Sequence, residues 1–544
     1  MERDRRRLMP GAKRSSSWLD AVAAVIAVGF LVAMVVWPLV AIGERSLAGS
    51  GLGEIIDITR RPATWRVLRF TIWQALVSTA ATVVVGLPIA HVLARYRFVG
   101  RNVVRVLTVV PFVLPTVVVA AALSALFDTV GIDLGRTLPA IVAAHVFFNL
   151  AVIVRVVGGH WATLDRSAEE AAAVLGASPV QVFRSITLPR IVPVLAGSAL
   201  VVFLFCFTSY GIILILGGPG TATMETEIRR YAIFRQEFDV AAVLAFIQLV
   251  VVVVLSVASA RLQRRLSVAS RSRRVAPGLR VDSWRRRLYV GAVLLVVAAV
   301  VVSPMVALVE QSLRVGDRHG LEHYRALTHE LPLLPVSPAT ALWHSVRLAF
   351  GAALVAALVG VPAARVIAGG RRLGRVLEAA VLIPLGVSAA TLGFGYLLAF
   401  RFFDLRRSPL LLPLAHAVVA LPFVMAAVVP ALRNIDARVR EAAATLGAGP
   451  LAIVRFVDWP LARAGLMTGL GFAVAVSLGE FGATSFISRG ADSFTAPLAV
   501  FRLLSQPGEE LRGQAMAVSV IIGVAVGATA ALLERTRQGG TGFL

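Results

Sequence analysis

The chain has 544 residues and a formal net charge of +24, and 58% of its residues are hydrophobic while only 15% are charged. Its mean hydropathy is +0.82. Soluble domains carry about 25% charged residues, so this balance excludes an ordinary soluble protein and indicates one embedded in a membrane. We therefore attribute the positive charge to the basic loops of a membrane protein and expect no nucleic acid partner.

Apolar runs recur along the chain, and a helix needs about 20 such residues to cross a bilayer. They predict an all-α polytopic protein surrounded by membrane lipid, with about twelve transmembrane helices. The predicted spans are 18–41, 70–93, 106–127, 137–157, 193–216, 238–259, 288–309, 344–364, 377–400, 410–431, 463–487 and 513–533.

The connections between these spans alternate in charge. The loop between the second and third spans carries four arginines and no acid, and residues 261–287 carry ten arginines against one acid, Asp282. Cytoplasmic loops of membrane proteins accumulate Arg and Lys. The pattern predicts a multi-pass protein of the bacterial plasma (inner) membrane with its basic loops and both termini in the cytoplasm.

The chain also repeats itself. The segment EAAAVLGASP at 170–179 returns as EAAATLGAGP at 441–450, identical at eight of ten positions and displaced by 271 residues. The same offset relates His145 to His416. Because six crossings preserve orientation, this is a parallel pseudo-repeat of six spans. The expected domains are a first half at 1–260, a basic linker at 261–287 and a second half at 288–544.

Both copies lie in predicted cytoplasmic loops, at 165–189 (the first EAA loop) and 436–460 (the second EAA loop). Each is expected to form two short helices. In the first loop, Gly176 ends one helix and Ser178–Pro179 opens the next, while Ser167 and Glu170 have the spacing of a capping box. Alanines permit close approach of a partner, and a rim carboxylate can pair with its Arg or Lys. Two matched copies favour docking over ordinary connectors.

These loops resemble a signature of the permease subunits of ATP-binding-cassette importers: EAA, three residues, Gly, nine residues, Ile-x-Leu-Pro. Residues 170–189 match it in full, whereas the second copy has Val457 and Trp459 for Ile and Leu. The resemblance implies a type I importer-like fold in which each loop sits in a cleft of an ATPase subunit and couples its closure to the spans. The implied coupling residues are Glu170, Ala171, Ala172, Gly176, Pro189, Glu441, Ala442, Ala443, Gly447 and Pro460.

Two such halves in one chain resemble the iron(III)/thiamine branch, as do AHVFFNL at 144–150 and FTSYGIILILGG at 207–218. SLGEFGATSFI at 477–487 also resembles sulfate and molybdate permeases. The resemblance implies import of iron(III) or thiamine, with two copies of a cytoplasmic ABC ATPase and an extracytoplasmic substrate-binding protein as partners. Permeases for sulfate, molybdate or polyamine, and an ion-coupled secondary transporter, stay open.

No catalytic site is expected. A P-loop needs a lysine after its glycines, and the single lysine, Lys13, lies in a basic tail. The chain is therefore predicted not to be an enzyme and to bind no cofactor, with ATP and Mg used by the partner ATPase. The single cysteine, Cys206, excludes an internal disulfide and a Cys-ligated cluster, and no metal site is expected.

Four polar residues within predicted spans are candidates for the pathway or a gate. Glu480 lies in the eleventh span, its first-half counterpart is Ser209, and His145 and His416 are matched. Intramembrane acids are costly and usually face a cavity or a partner. We favour a helix-packing or gate role for Glu480 over contact with cargo, and hydrogen bonding between helices for the histidines.

Two segments outside the membrane, 217–231 and 489–502, are rich in Gly, Thr and Pro. Each is predicted to form a short lid helix on which a binding protein docks, with Glu225 and Glu227 as contacts in the first.

Overall fold

The computed structural model describes residues 10–48, 52–267, 278–370, 372–400, 408–488 and 490–537, so residues 268–277 of the predicted linker lie outside the described residues. The helices are α1 (Pro10–Leu31), α2 (Trp37–Ala48), α3 (Leu52–Arg60), α4 (Pro62–Arg95), α5 (Arg101–Leu107), α6 (Val110–Val113), α7 (Thr116–Thr129), α8 (Leu138–Thr163), α9 (Ser167–Val174), α10 (Pro179–Val182), α11 (Leu188–Phe207), α12 (Gly211–Leu216), α13 (Met224–Arg229), α14 (Phe238–Ser267), α15 (Trp284–Val297), α16 (Ser303–Leu313), α17 (Glu322–Arg325), α18 (Pro338–Ala368), α19 (Arg372–Val381), α20 (Ile383–Gly386), α21 (Ala389–Ala399), α22 (Leu411–Arg433), α23 (Ala437–Thr445), α24 (Pro450–Ile453), α25 (Trp459–Leu478), α26 (Gly482–Ile487), α27 (Ala496–Leu504) and α28 (Glu509–Arg537).

Short π-helical and 3-10 segments and four two-residue strands complete the described part. The strands β1 (Tyr96–Arg97) and β2 (Leu279–Arg280) pair in parallel, and β3 (Arg314–Val315) and β4 (Arg318–His319) pair antiparallel. The π-helical segments are Val32–Val36, Phe183–Thr187, Arg230–Arg235, Ala298–Val302 and Val454–Asp458, and the 3-10 segments are Pro219–Thr221, Ala326–Thr328 and Ala491–Ser493.

Ten helices in the described ranges are long and apolar enough to cross a membrane, or eleven if one bent pair is counted as a single span. This confirms an all-α polytopic architecture but is fewer than the twelve continuous spans predicted. These helices are Trp18–Leu47, Pro62–Arg95, Leu138–Thr163, Pro179–Phe207, Phe238–Ala258, Trp284–Leu313, Pro338–Ala368, Leu411–Arg433, Pro450–Leu478 and Glu509–Thr529.

The predicted third and ninth spans are broken. In the third, the helices before and after the break differ in direction by 112°. Leu114, which precedes Pro115, has an extended backbone with ψ 144°, as expected because proline disfavours the helical region for the residue before it. In the ninth, α19, α20 and α21 replace one continuous helix, and the Ser388 side chain accepts the Ala390 N–H at 3.0 Å at the start of α21.

The predicted fifth and eleventh spans, 193–216 and 463–487, are interrupted near their ends. The helix α11 ends at Phe207 and α25 at Leu478, and the chain resumes helix three residues later as α12 and α26. Gly482, the first residue of α26, packs closely: a Cβ there would lie 2.8 Å from the Ala390 nitrogen. The apolar run continues through these breaks, so composition alone does not reveal them.

Four of the π-helical segments end two residues before a proline, at Pro38, Pro189, Pro304 and Pro460. A proline in a helix donates no hydrogen bond, and its ring crowds the carbonyl four residues earlier. A wider turn relieves that crowding, as the bond from the Leu188 N–H to the carbonyl five residues earlier illustrates. The prolines therefore widen these helices without ending them.

The described chain forms two compact units. The second-half unit contains Met1–Arg45, Pro335–Leu498 and Val524–Leu544, and the first-half unit contains Ser46–Leu334 and Ala499–Gly523. These units differ from the sequence division at 1–260 and 288–544, because the first and seventh long helices each group with the opposite half.

Direct contacts support this grouping. In the second-half unit, α1 packs on α18, and the Tyr396 hydroxyl donates to the Met34 carbonyl at 2.9 Å. In the first-half unit, α16 packs on α7, and Tyr289 at the start of the seventh long helix is hydrogen-bonded to His91 at 3.0 Å.

Small residues let the helices of each unit pack closely. In the second-half unit, α18, α22 and α25 pack on one another, and a Cβ at Gly469 would lie 3.2 Å from the Val424 Cα. In the first-half unit, α4 packs on α8, where a Cβ at Gly86 would lie 2.8 Å from the Ile153 side chain. Such positions are typical of helix packing in membranes, where close backbone approach supplies van der Waals energy.

Candidate functional site

The two EAA loops share one backbone conformation. Gly176 and Gly447 both have φ +87°. After the first helix, the Gly176 N–H donates to the Ala173 carbonyl and the Ala177 N–H to the Ala172 carbonyl, both at 3.0 Å, and the second loop repeats both bonds. This is the bonding of a Schellman motif, in which glycine adopts the left-handed conformation. A Cβ would meet nothing within 4 Å at either glycine, so the backbone angle and not space requires glycine.

The first helix of each loop starts on a matched aspartate. Asp165 Oδ1 accepts the Ser167 N–H at 3.0 Å, and Asp436 Oδ1 accepts the Arg438 N–H at 3.0 Å. The predicted capping box between Ser167 and Glu170 is wrong, because Ser167 is already helical and its hydroxyl donates to Asp165 at 2.8 Å.

A capping box does occur at the second helix of the first loop. The Gln181 N–H donates to Ser178 Oγ at 3.3 Å, and the Ser178 N–H donates to Gln181 Oε1 at 2.8 Å. Ser178 is thus the N-cap that the sequence predicts. Gly449 holds the matching place in the second loop without a side-chain cap.

The second helix of each loop is continuous with a long helix. Residues Pro179–Phe207 form one helix of 29 residues, and Pro450–Leu478 form another of the same length. Pro189 and Pro460 each occupy the second position after a π-helical segment within these helices. Because the loop and the long helix are one element, movement of the loop displaces the long helix.

The outer surface of both loops is exposed. Glu170 and Glu441 are exposed, and neither carboxylate makes an ion pair to another described residue. Leu175 and Leu446, which immediately precede the two glycines, are 87% and 89% exposed. The sequence analysis missed these leucines, although an apolar residue repeated before a loop glycine was a usable signal. A carboxylate beside an exposed leucine suits contact with another protein.

Among the other motif positions, Ala171 and Ala442 are exposed, whereas Ala172 and Ala443 are half-buried. The alanines therefore present one small-residue face outward and another inward, as the predicted close approach to a partner requires.

A cavity of about 450 Å³ lies beside the second EAA loop. Its lining includes Leu432 and Val454, whose counterparts 271 residues earlier are Trp161 and Phe183. In the first-half unit these two rings stack with their centroids 6.3 Å apart. The larger aromatic side chains fill space that remains open in the second-half unit. The cavity lining is otherwise apolar apart from Arg365 and Asp458, which are bonded to each other.

His416 and Glu480 belong to one buried cluster in the second-half unit. The His416 ring bonds Ser477 Oγ at 2.7 Å and Thr484 Oγ1 at 2.8 Å, and its Nε2 lies 3.1 Å from Glu480 Oε2. Glu480 also accepts the backbone N–H groups of Ala483 at 2.7 Å and Thr484 at 3.1 Å. The carboxylate thus caps α26 after the break in the eleventh span. A carboxylate at a helix N-terminus is favourably placed.

The matched cluster in the first-half unit is less completely bonded. His145 Nδ1 lies 2.9 Å from Ser78 Oγ, and the Asn149 amide donates to the His145 carbonyl at 3.0 Å. His145 Nε2 and Ser209 Oγ are buried without a hydrogen-bond partner among the described residues. The reason is local: Ser209 is too short to replace the acid, and Ile213 replaces the threonine. Each histidine is thus engaged within its own unit.

The two segments predicted as lids contain the short helices α13 and α27. In the first, Glu225 is fully buried and accepts the Gln248 amide at 2.5 Å, and Glu227 is 7% exposed and pairs with Arg230 at 2.5 Å. The hypothesis that these two glutamates contact a binding protein is therefore wrong, because both side chains bond within the unit.

Comparison with known proteins identifies the family. The family described as binding-protein-dependent transport system inner membrane component matches residues 82–268 and 356–534, so each stretch includes one EAA loop. The thiamine transport system permease protein ThiP of Brucella abortus (strain 2308) is 28% identical over 494 residues, which cover 85% of each chain.

Two further comparisons cover part of the chain. The sulfate transport system permease protein CysT of Salmonella typhimurium is 31% identical over 195 residues, covering 34% of this chain and 70% of that protein. A chain of the bacterial alginate ABC transporter, solved in complex with an alginate-bound periplasmic protein, covers 48% of this chain and 98% of its own, with 19% identity and a TM-score of 0.40. Since the family match covers most of the sequence in two copies, the chain is a two-half permease that belongs to the family of binding-protein-dependent transport system inner membrane components.

Proposed function

We propose that this chain is the translocation pathway of an ABC importer and that a separate ATPase, present in two copies, uses ATP and Mg to move it. The observation that carries the proposal is the pair of EAA loops, which share a φ of +87° at Gly176 and Gly447 and expose matched leucines. Two equal surfaces suit two equal motor subunits. No cofactor and no catalytic residue is assigned to the chain itself.

The proposed mechanism is alternating access. ATP binding closes the two ATPase subunits, which displace the loops through Glu170, Ala171, Ala172 and Gly176 and their second-loop counterparts Glu441, Ala442, Ala443 and Gly447. Since each loop continues into a 29-residue helix past Pro189 or Pro460, its displacement shifts that helix and opens the pathway outward. A substrate-binding protein then releases cargo, and hydrolysis resets the complex.

The docking step can be tested at the exposed leucines. Replacing Leu175 and Leu446 together by Ser should weaken co-purification of the ATPase by about tenfold or more, because interface anchors commonly contribute over 1 kcal/mol each. The unfolding temperature should be unchanged, since both side chains are exposed. The matched control is Leu354→Ser, an exposed leucine on α18 away from the loops. Normal ATPase capture by the double variant would contradict the docking surface.

We place both EAA loops and both termini in the cytoplasm, on the grounds of the basic loops. The chain suits a labelling test because its single native cysteine, Cys206, is buried. Glu170→Cys and Glu441→Cys should resist an impermeant thiol reagent on intact cells and react after the membrane is opened. Labelling on intact cells would place the loops outside and overturn the proposal.

Thiamine is the proposed cargo, since the relatives that match over most of the chain are named as thiamine permeases. Iron(III) has no such support. Labelled thiamine should enter proteoliposomes containing the chain, its ATPase and its binding protein, and only with ATP. Sulfate and putrescine serve as competing cargoes, because permeases for both match about a third of the chain. Preference for either would replace thiamine.

We assign Glu480 and His416 a gate or helix-packing role and not a contact with cargo, because their polar atoms are bonded to each other and to α26. His145 and Ser209 stand at the matched place in the other half. The rival function is an ion-coupled transporter working alone. Uptake by the chain alone, driven by a proton or sodium gradient, would favour that rival.

A further inference from the structure

The first helix of each EAA loop lacks the covalent route by which the second helix moves a span. The helices α9 and α23 contain no buried residue, and each is joined to the preceding long helix by only a few non-helical residues. Side-chain bonds therefore decide how firmly the first helix is held.

In the first-half unit a single carboxylate joins three elements. Arg95, the last residue of α4, is 4% exposed, and its Nη2 lies 2.6 Å from Oε1 of Glu169 on α9. The same oxygen accepts the hydroxyl of Thr187 at 2.8 Å, and Thr187 is the last residue of the π-helical segment. Glu169 thus links the end of a long helix, the first helix of the loop and the helix that carries the second part of the loop.

In the second-half unit a carboxylate joins the same three elements from a different position. Asp458, the last residue of the second loop's π-helical segment, is buried. Its Oδ1 lies 2.6 Å from Nε of Arg440 on α23, and its Oδ2 lies 3.2 Å from Nη1 of Arg365 near the end of α18. Arg365 also contacts Asp20 on α1 at 3.3 Å.

The 271-residue offset makes the exchange explicit. Glu169 corresponds to Arg440 and Thr187 to Asp458, while the arginines at the ends of α4 and α18 are one residue out of register. The negative charge has moved from the first helix of the loop to the π-helical segment, yet the three elements remain joined. What the halves share is the link and not the identity of the side chain that makes it.

We propose that the cluster Arg95–Glu169–Thr187 and the cluster Arg365–Asp458–Arg440 are latches that transmit displacement of each EAA loop to the preceding long helix, α4 or α18. Their residues position the loop and touch no cargo or nucleotide. The inference rests on the proposed coupling function and adds a second route to it: the loop moves one long helix through the continuous backbone and another through an ion pair. Because the paired charges are largely withdrawn from water, removing one partner leaves the other uncompensated.

The two halves supply their own test by reciprocal transplantation. Glu169→Arg should lower cargo uptake per ATP hydrolysed by about tenfold, within the range of typical coupling between sites. Adding Thr187→Asp recreates the arrangement of the second half and should restore the ratio to within about twofold, a rescue that simple loss of folding would not give. In the second half, Asp458→Thr should uncouple and Arg440→Glu should restore the link.

Controls separate the latch from the docking function. Glu169→Gln removes the charge without adding bulk, and Asp57→Asn breaks an exposed Arg–Asp pair of α3 that should leave uptake unchanged. Co-purification of the ATPase is measured for every variant. Loss of the latch should leave that binding intact while uptake per ATP falls.

Two results would overturn the latch: normal uptake per ATP in Glu169→Arg and Glu169→Gln, or a double variant that folds, captures the ATPase and stays as defective as the single one. Failure of the native chain to capture any ATPase would instead overturn the proposed function itself.

Discussion

The two EAA loops and the two buried histidine clusters show opposite kinds of resemblance between the halves. In the loops the backbone is reproduced to the same φ of +87° at Gly176 and Gly447. In the clusters the histidine recurs but its partners do not, since Glu480 and Thr484 have no equivalents beside His145. A surface that must fit an outside partner keeps its shape, whereas an interior need only pack and satisfy its polar groups, which several side-chain sets can do.

Breaking the shared backbone should have the largest effect. Gly176→Pro with Gly447→Pro should abolish uptake while the protein still inserts, because proline fixes φ near −65° and neither loop can then make its turn. Uptake is measured in proteoliposomes, with membrane insertion checked by fractionation. Retention of ATP-driven uptake in the double variant would show that the loop geometry is dispensable.

A graded version uses alanine at the same glycines. The left-handed conformation costs a residue with a Cβ about 1–2 kcal/mol, so Gly176→Ala with Gly447→Ala should reduce uptake without abolishing it. Gly159→Ala is the matched control, since this exposed helical glycine has no neighbour within 4 Å of a Cβ and no positive φ. Equal losses in the two variants would argue against a conformational cause.

The histidine clusters should differ in stability. Glu480→Ala removes the acceptor for the Ala483 and Thr484 N–H groups and the partner of His416, and should lower the free energy of unfolding by about 3–5 kcal/mol. Ser209→Ala should cost less than about 1 kcal/mol, because Ser209 Oγ has no partner among the described residues. Thermal unfolding in detergent compares the two. Similar shifts would mean that the acid is not the structural difference between the halves.

The smallest effects concern packing beside the loops. Trp161→Leu, which copies the residue at 432, should destabilise the protein by about 2 kcal/mol because it opens a cavity. Val454→Phe, which copies the residue at 183, enters the existing cavity of about 450 Å³ and should change the unfolding free energy by less than about 1 kcal/mol. The same thermal measurement serves, and a large loss on adding Phe would show that the cavity is not fillable space.

The sequence predicted the parts of this structure that follow from local chemistry. The EAA loops, the turn at each glycine and the N-cap at Ser178 follow from residue preferences over a few positions. The breaks in the third, fifth, ninth and eleventh spans were not predicted, because their residues stay apolar across each break and hydropathy reports only burial in lipid. The prolines at 115, 189 and 460 were visible, yet one ends a helix and two widen it.

The partners of buried charges could not be predicted at all. Glu169 stands beside the EAA motif, but its partners Arg95 and Thr187 are 74 and 18 residues away. Pairing of the first long helix with the second half likewise depends on tertiary packing. A comparison of the repeat positions Glu169 with Arg440 and Thr187 with Asp458 was available in the sequence, and it was the one signal that could have found the latches.

The exchange of the first and seventh long helices bears on how such a chain could be assembled. If the gene were split within residues 268–277, each product would carry a helix that packs in the opposite unit and would lack one that its own unit needs. The fragments would have to trade helices during assembly, and hydrophobic surface would stay uncovered until they met. One continuous chain makes that trade intramolecular, at a high effective concentration and in fixed one-to-one ratio.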